Sequence, residues 1–195
     1  MIERYNRSVR MCQIPEYKKL KELAEQKLSN RLNGDCYIRL LKGYDEETLS
    51  IIKRIDHKKF REELWYTNNE IKERMEKPGF LCFLVYYNGE PIAFEYGYDL
   101  AEGVYFSDSQ ATLIEGKGVG TTQFALEILY LFHNNYKKIK LTTEEVDDEG
   151  RELRIFWERM GFVKLGEDEK GSVDMEIELT LDAAQYQYER YIKPR

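Results

Sequence analysis

The segment Leu113-Ile114-Glu115-Gly116-Lys117-Gly118-Val119-Gly120-Thr121-Thr122 constrains this chain more than any other, because an apolar run to Phe132 follows it at once. Three glycines alternate with Lys117 and Val119 and stop where the helical pattern begins. Glycine reaches positive φ and has no Cβ, so backbone N–H groups can approach a ligand closely. A helix starting directly behind adds unpaired N–H groups and the positive end of its dipole. The guest such a loop fits is a phosphate or pyrophosphate; the plain alternative is a strand-to-helix turn that holds nothing. Two other phosphate loops fail on spacing. The third glycine of a G-x-G-x-x-G dinucleotide fingerprint would fall at position 121, which is Thr, and no window satisfies G-x-x-x-x-G-K-[ST].

Around this loop the chain reads as one α+β domain. Pro15 opens a basic helix to about residue 32, with Tyr17, Leu20, Ala24 and Leu28 at helical spacing and Asn33-Gly34-Asp35 as its stop. It suits either the main domain or a partner copy, which leaves a homodimer open. Residues 36–41 alternate as a strand. Asp45 caps a helix to about 55, helical segments follow at 58–65 and from 68 to Pro78, and residues 1–15 read as an arm. Residues 80–86 and 91–98 are strands joined by Asn88-Gly89, a type I′ hairpin signal. Residues 104–110 form a fourth strand that enters the glycine loop. Beyond the loop helix come a strand at 138–143, a helix at 149–160 ended by Gly161, strands at 162–165 and 173–181, and a tyrosine-rich tail.

Composition excludes several classes. A formal net charge of −6, with 30 basic and 36 acidic residues interspersed, gives no broad basic surface for nucleic acid. No stretch approaches the ~20 apolar residues of a membrane span, and residues 1–7 lack an apolar signal core. Cys12, Cys36 and Cys82 are odd in number and fit no metal spacing, so no metal is expected and a reduced, cytoplasmic setting is.

Two motifs together resemble one family. Glu115-Gly116-Lys117-Gly118-Val119-Gly120-Thr121 looks like the acetyl-coenzyme A loop of GCN5-related N-acetyltransferases (GNAT), Arg/Gln-x-x-Gly-x-Gly/Ala. Leu153-Arg154-Ile155-Phe156-Trp157-Glu158-Arg159-Met160-Gly161-Phe162 is similar to that family's helix ending in Tyr-x-Lys-x-Gly-Phe. The resemblance spans about residues 36–181. It implies a mixed, mostly antiparallel central sheet flanked by helices and splayed between its fourth and fifth strands. The implied units are 1–34 (arm and helix), 35–181 (acyltransferase domain) and 182–195 (tail). Acetyl-coenzyme A would be the co-substrate, its pantetheine lying between the strand ending near Gln110 and the strand 139–143. Its pyrophosphate would sit on the N–H groups from Gly116 to Thr121, with the Thr121 and Thr122 hydroxyls as further donors. The acetyl group would pass directly to a primary amine of a small molecule or peptide, and a backbone N–H of the fourth strand would polarise the thioester carbonyl.

Departures from the pattern shape the expected chemistry. Glu115 stands where the loop carries Arg or Gln and is expected to turn to solvent, with Lys117 compensating. Trp157 replaces the tyrosine that often protonates the leaving thiolate; an indole N–H donates but is no acid near neutral pH. It reads equally as a cofactor contact or as core. For the base that the amine requires, Glu144 and Asp108 are the first choices, ahead of Glu95 and Glu145. Tyr96 and Tyr105, with Tyr98, are candidates for the acceptor pocket. The acidic groups point to a cationic amine. The rival reading is a non-catalytic acyl-coenzyme A-binding or regulatory module of the same fold.

Overall fold

A computed structural model describes residues 14–147, 150–169 and 171–194. The expected N-terminal arm lies almost wholly outside the described residues, as does Cys12.

Seven strands form one sheet in the order β1-β2-β3-β4-β5-β7-β6. They are β1 (Cys36–Lys42), β2 (Leu81–Tyr87), β3 (Glu90–Ala101), β4 (Val104–Thr112), β5 (Lys138–Glu144), β6 (Val163–Glu167) and β7 (Ser172–Glu178). Every neighbouring pair is antiparallel except β4 and β5, which run parallel. β2 is buried on both faces, as its unbroken apolar run requires. Asn88 at φ 50° and Gly89 at φ 86° take the left-handed conformations that a type I′ turn demands.

Helices cover both faces. On one face α1 (Tyr17–Leu32) packs on α4 (Val119–His133) through Leu20, Ala24 and Leu28, all fully buried. α6 (Leu181–Gln187) and the π-turn Tyr188–Ile192 join that layer, with Ala184, Tyr188 and Ile192 in the same core. The basic N-terminal helix therefore lies on its own domain, and the tyrosine-rich tail is helical. On the other face sit α2 (Glu46–Lys59) and α3 (Asn68–Met75), burying Leu49, Ile52, Ile55, Ile71 and Met75 against Phe94 and Tyr96. Both start on side-chain caps: Asp45 accepts from Thr48 N at 2.7 Å, and Thr67 forms a capping box with Glu70.

Two elements depart from the sequence pattern. The helical segment expected at 58–65 is only a 3₁₀ turn, Glu62–Leu64. Phe60 leaves α2 with extended dihedrals (φ −100°, ψ 152°), and its carbonyl accepts from Trp65 Nε1 at 2.7 Å while the Trp65 ring stacks on His57. The helix expected over 149–160 is α5, Leu153–Arg159; the segment before it forms a bridge between Val146 and Glu152 instead.

Candidate functional site

β4 and β5 pair at only three positions: Val104 with Lys138, Tyr105 with Ile139 and Phe106 with Lys140. Beyond Phe106 they part. β4 stays bonded to β3 as far as Thr112, and β5 stays bonded to β7 as far as Glu144. One edge of each strand thus opens onto a V-shaped cleft with unused backbone groups. A bulge marks the start of the parting: Tyr96 faces Ser109 and Gly97 faces Ser107, which leaves Asp108 as the extra residue on β4.

The glycine loop closes one end of the cleft. Gly116 (φ 69°) and Gly118 (φ 75°) are both left-handed, and Gly118 is the N-cap of α4. Among the described residues, none of the six backbone N–H groups from Gly116 to Thr121 donates to a protein acceptor; the first that does is Thr122 N, to Gly118 O at 3.0 Å. Six such N–H groups at a helix start form an anion cradle. Gln110 braces it from β4, its Nε2 donating to Gly120 O at 3.0 Å. The hydroxyls contribute less than expected. Thr121 Oγ1 donates to Gly118 O at 3.1 Å, and Thr122 is fully buried with its Oγ1 unpartnered. Val119 puts its side chain into the core and offers only its N–H.

Glu115 does not turn to solvent unpaired. It accepts from Lys59 at the end of α2 and from Arg151 Nη1 at 2.8 Å, and these two partners, Lys59 foremost, hold its carboxyl below the usual range. Arg61, two residues past Lys59, binds Glu144 Oε1 at 2.8 Å. The end of α2 therefore spans the mouth of the V, tied to the loop after β4 on one side and to the end of β5 on the other.

This arrangement decides the comparison with known structures. The sequence matches no family profile and no curated protein. The fold matches many solved chains. The ribosomal-protein-S18-alanine N-acetyltransferase from Escherichia coli superposes with a TM-score of 0.60 at 12% identity, covering 73% of this chain and 94% of that one. A GNAT-family protein from Desulfovibrio desulfuricans gives 0.60 at 13%, over 73% and 99%. An aminoglycoside 6′-N-acetyltransferase complexed with coenzyme A gives 0.63 at 12%, over 73% and 97%. The chain has the GNAT fold.

Trp157 lies at the wall of the cleft, half-buried, its Nε1 donating to Thr143 Oγ1 on β5 at 3.2 Å and its ring packed edge-on against Phe124 and Phe156. It ties α5 to the splayed end of β5. Trp157→Phe keeps the packing and leaves Thr143 without its donor. An unfolding free-energy loss of about 1 kcal/mol is expected in denaturant titration.

The Asp108 side chain is 6% exposed; its Oδ2 accepts from Arg74 Nε at 2.8 Å and its Oδ1 from Tyr66 Oη at 3.4 Å. The Arg74 guanidinium lies 3.8 Å above the Tyr66 ring. Tyr96 faces the same side, 1% exposed, with its hydroxyl unpartnered and raised by burial first and then by Asp108. Tyr105 is a correction. It is fully buried on the opposite, α4 face, where its hydroxyl donates to Leu81 O at 3.5 Å, so it cannot line a pocket that Asp108 shares. Glu95 is likewise on the α4 face, fully buried beside Glu127, and Glu145 turns away to Arg154 and Lys164.

Sequence reasoning missed one group here. Asp56, on the α2 face of the sheet, is 2% exposed, its Oδ2 meets no donor, and burial pushes its carboxyl up to about 6. It adds to the effect of Asp108 on the Tyr96 hydroxyl. A polar residue in an apolar stripe, one position after Ile55, is the signal that was available.

Proposed function

We propose that this protein is an acetyl-coenzyme A-dependent N-acetyltransferase acting on a primary amine. The observation that carries the reading is the parting of β4 and β5 after three pairs, directly beside six unpaired N–H groups at the start of α4. The open strand edges suit the amide groups of pantetheine, and the cradle suits a pyrophosphate. The space over Gly116 is open, with nothing within 4 Å of a Cβ built there. Bound acetyl-coenzyme A supplies an activated thioester carbonyl. Backbone N–H groups of β4 near the Asp108 bulge are fixed donors for the oxygen of that carbonyl.

The acceptor enters from the α2 and α3 face. There the carboxyls of Asp56 and Asp108 and the phenol of Tyr66 all act on the Tyr96 hydroxyl, a polar cluster suited to a cationic amine, free or on a peptide. Asp108 is engaged by Arg74 and Glu144 by Arg61, so both serve to position. Asp56, with an unpartnered oxygen, takes the amine proton. A base works deprotonated, so turnover rises as pH passes about 6. Asp56→Asn is expected to lower kcat roughly 100-fold and abolish that acidic limb while sparing the KM for acetyl-coenzyme A. Glu144→Gln keeps the limb. The assignment falls if Glu144→Gln removes the limb and Asp56→Asn leaves it.

A second reading, a non-catalytic acyl-coenzyme A-binding module, draws on Trp157, whose N–H is committed to Thr143 where an acid for the thiolate would stand. The free, buried thiols of Cys36 and Cys82 accord with a reducing cytoplasm.

A further inference from the structure

The last turn of α1 ends on the glycine loop, although 86 residues separate Arg31 from Lys117. Arg31 Nη1 donates to Lys117 O at 3.4 Å, and a Cβ built on Gly118 would lie 2.1 Å from the same Nη1. The guanidinium thus lies over the bare Cα of the residue that caps α4. Arg31 is exposed, and among the described residues no carboxylate pairs with it. The cations on the other side of the loop are engaged differently. Lys59 and Arg151 bind Glu115, and Arg151 also binds Asp147. A guanidinium has five N–H donors in a planar fork, and one long bond to a carbonyl leaves most of them for another acceptor.

The backbone that carries Arg31 is held on both sides. Leu28 is fully buried on α4, Ser29 Oγ accepts from Cys36 N at 3.0 Å, and Leu32 O accepts from Tyr87 Oη at 3.1 Å. Only the side chain is free to swing. We infer that Arg31 is a clamp on the pyrophosphate of coenzyme A, supplying from outside the glycine loop the positive charge that Glu115 withholds within it. The inference rests on the coenzyme A reading above. It also gives α1 a second task besides covering α4.

The test is calorimetric binding of coenzyme A, dephospho-coenzyme A and pantetheine to the parent, Arg31→Gln and Arg31→Lys proteins, with the ligand-free melting temperature of each. Loss of one charge-assisted pair corresponds to about tenfold or more in Kd. Arg31→Gln is expected to weaken both nucleotides by that factor, to leave pantetheine unchanged, to make binding less sensitive to salt, and to melt as the parent does. Arg31→Lys should recover part of the loss. Equal binding of coenzyme A by the parent and Arg31→Gln overturns the clamp and leaves the coenzyme A reading intact. A loss seen with coenzyme A and absent with dephospho-coenzyme A moves the contact to the 3′-phosphate and overturns the pyrophosphate assignment. No binding of coenzyme A by the parent overturns both.

Discussion

Gly118→Val is expected to lower coenzyme A affinity by roughly 100-fold or more, to the point where the ligand no longer raises the melting temperature. Gly118 holds φ 75° at the N-cap of α4, a conformation that costs a β-branched residue most, about 1–3 kcal/mol. The new side chain meets Arg31 Nη1 first, and that guanidinium can move away. The backbone cannot move so cheaply. Relieving the strain rotates the peptide units on both sides of position 118 and disperses N–H groups that now converge. Gly116→Ala is the contrasting variant, because the space around Gly116 is open and Ala pays only the modest left-handed penalty. Its affinity loss should be several-fold at most. Both variants should keep the parent's circular dichroism, since the core beneath α4 rests on Phe124, Ile128 and Leu131. Retained coenzyme A binding by Gly118→Val would mean that the loop is a turn without a guest.

The second large effect concerns the other face of the sheet. Glu95 on β3 and Glu127 on α4 are both fully buried, and Glu95 Oε2 and both Glu127 oxygens meet no donor. Ser107 Oγ gives Glu95 Oε1 its one bond, at 3.2 Å. Burial pushes Glu95 up to about 7, and burial together with the neighbouring Glu95 pushes Glu127 well above the usual carboxylate range. In the unfolded chain both titrate near 4.5. Above that pH the unfolded chain has released protons that the native state retains, so native stability is greatest in mild acid and falls as pH rises. The Glu95 and Glu127 shifts both act in this direction. Asp56, raised to about 6, adds to the fall with the same sign. Glu115 and Glu145 are shifted downward and act only below their ordinary range, outside this window. Denaturant titrations at pH 5 and pH 8 read the effect. Glu127→Gln should be more stable than the parent at pH 8 and should flatten the dependence. Equal stability of the parent at both pH values would show that the pair does not hold its protons.

Much of this was legible in the sequence because it depends on local chemistry. The glycine loop, the Asn88-Gly89 turn, the cap at Asp45 and the stop at Gly161 are each set by a few neighbouring residues, and the order of elements follows from them. The parted strands were legible only through the resemblance, since nothing in the patterns of β4 and β5 says that they separate after Phe106. What sequence could not supply is pairing over distance. Arg31 reads as a basic residue at a helix end until α1 is seen to finish over the loop. Glu115 reads as a charge in the wrong place until Lys59 and Arg151 are found beside it. Glu127 sits in a helix apolar around most of its surface, and only the facing β3 shows that it meets Glu95. The segment after α2 has a helical pattern, yet the stacking of His57 on Trp65 and the Phe60 carbonyl bond turn it into a short 3₁₀ strap. Tyr105 and Tyr96 alternate onto opposite faces through the register of β3 and β4 with its bulge at Asp108, which no count along one strand reveals.

On the proposed reading, the cleft between β4 and β5 binds acetyl-coenzyme A and delivers its acetyl group to a cationic amine entering from the Asp56 and Asp108 face. The most direct measurement is release of free thiol from acetyl-coenzyme A over a panel of polyamines, aminoglycosides, lysine-containing peptides and peptide N-termini, beside calorimetric binding of acetyl-coenzyme A. Saturable binding with amine-dependent thiol release, lost in Asp56→Asn and present in Glu144→Gln, is the expected result. Tight binding with no release for any amine would contradict the catalytic claim in favour of a binding module, and no binding at all would contradict the site itself.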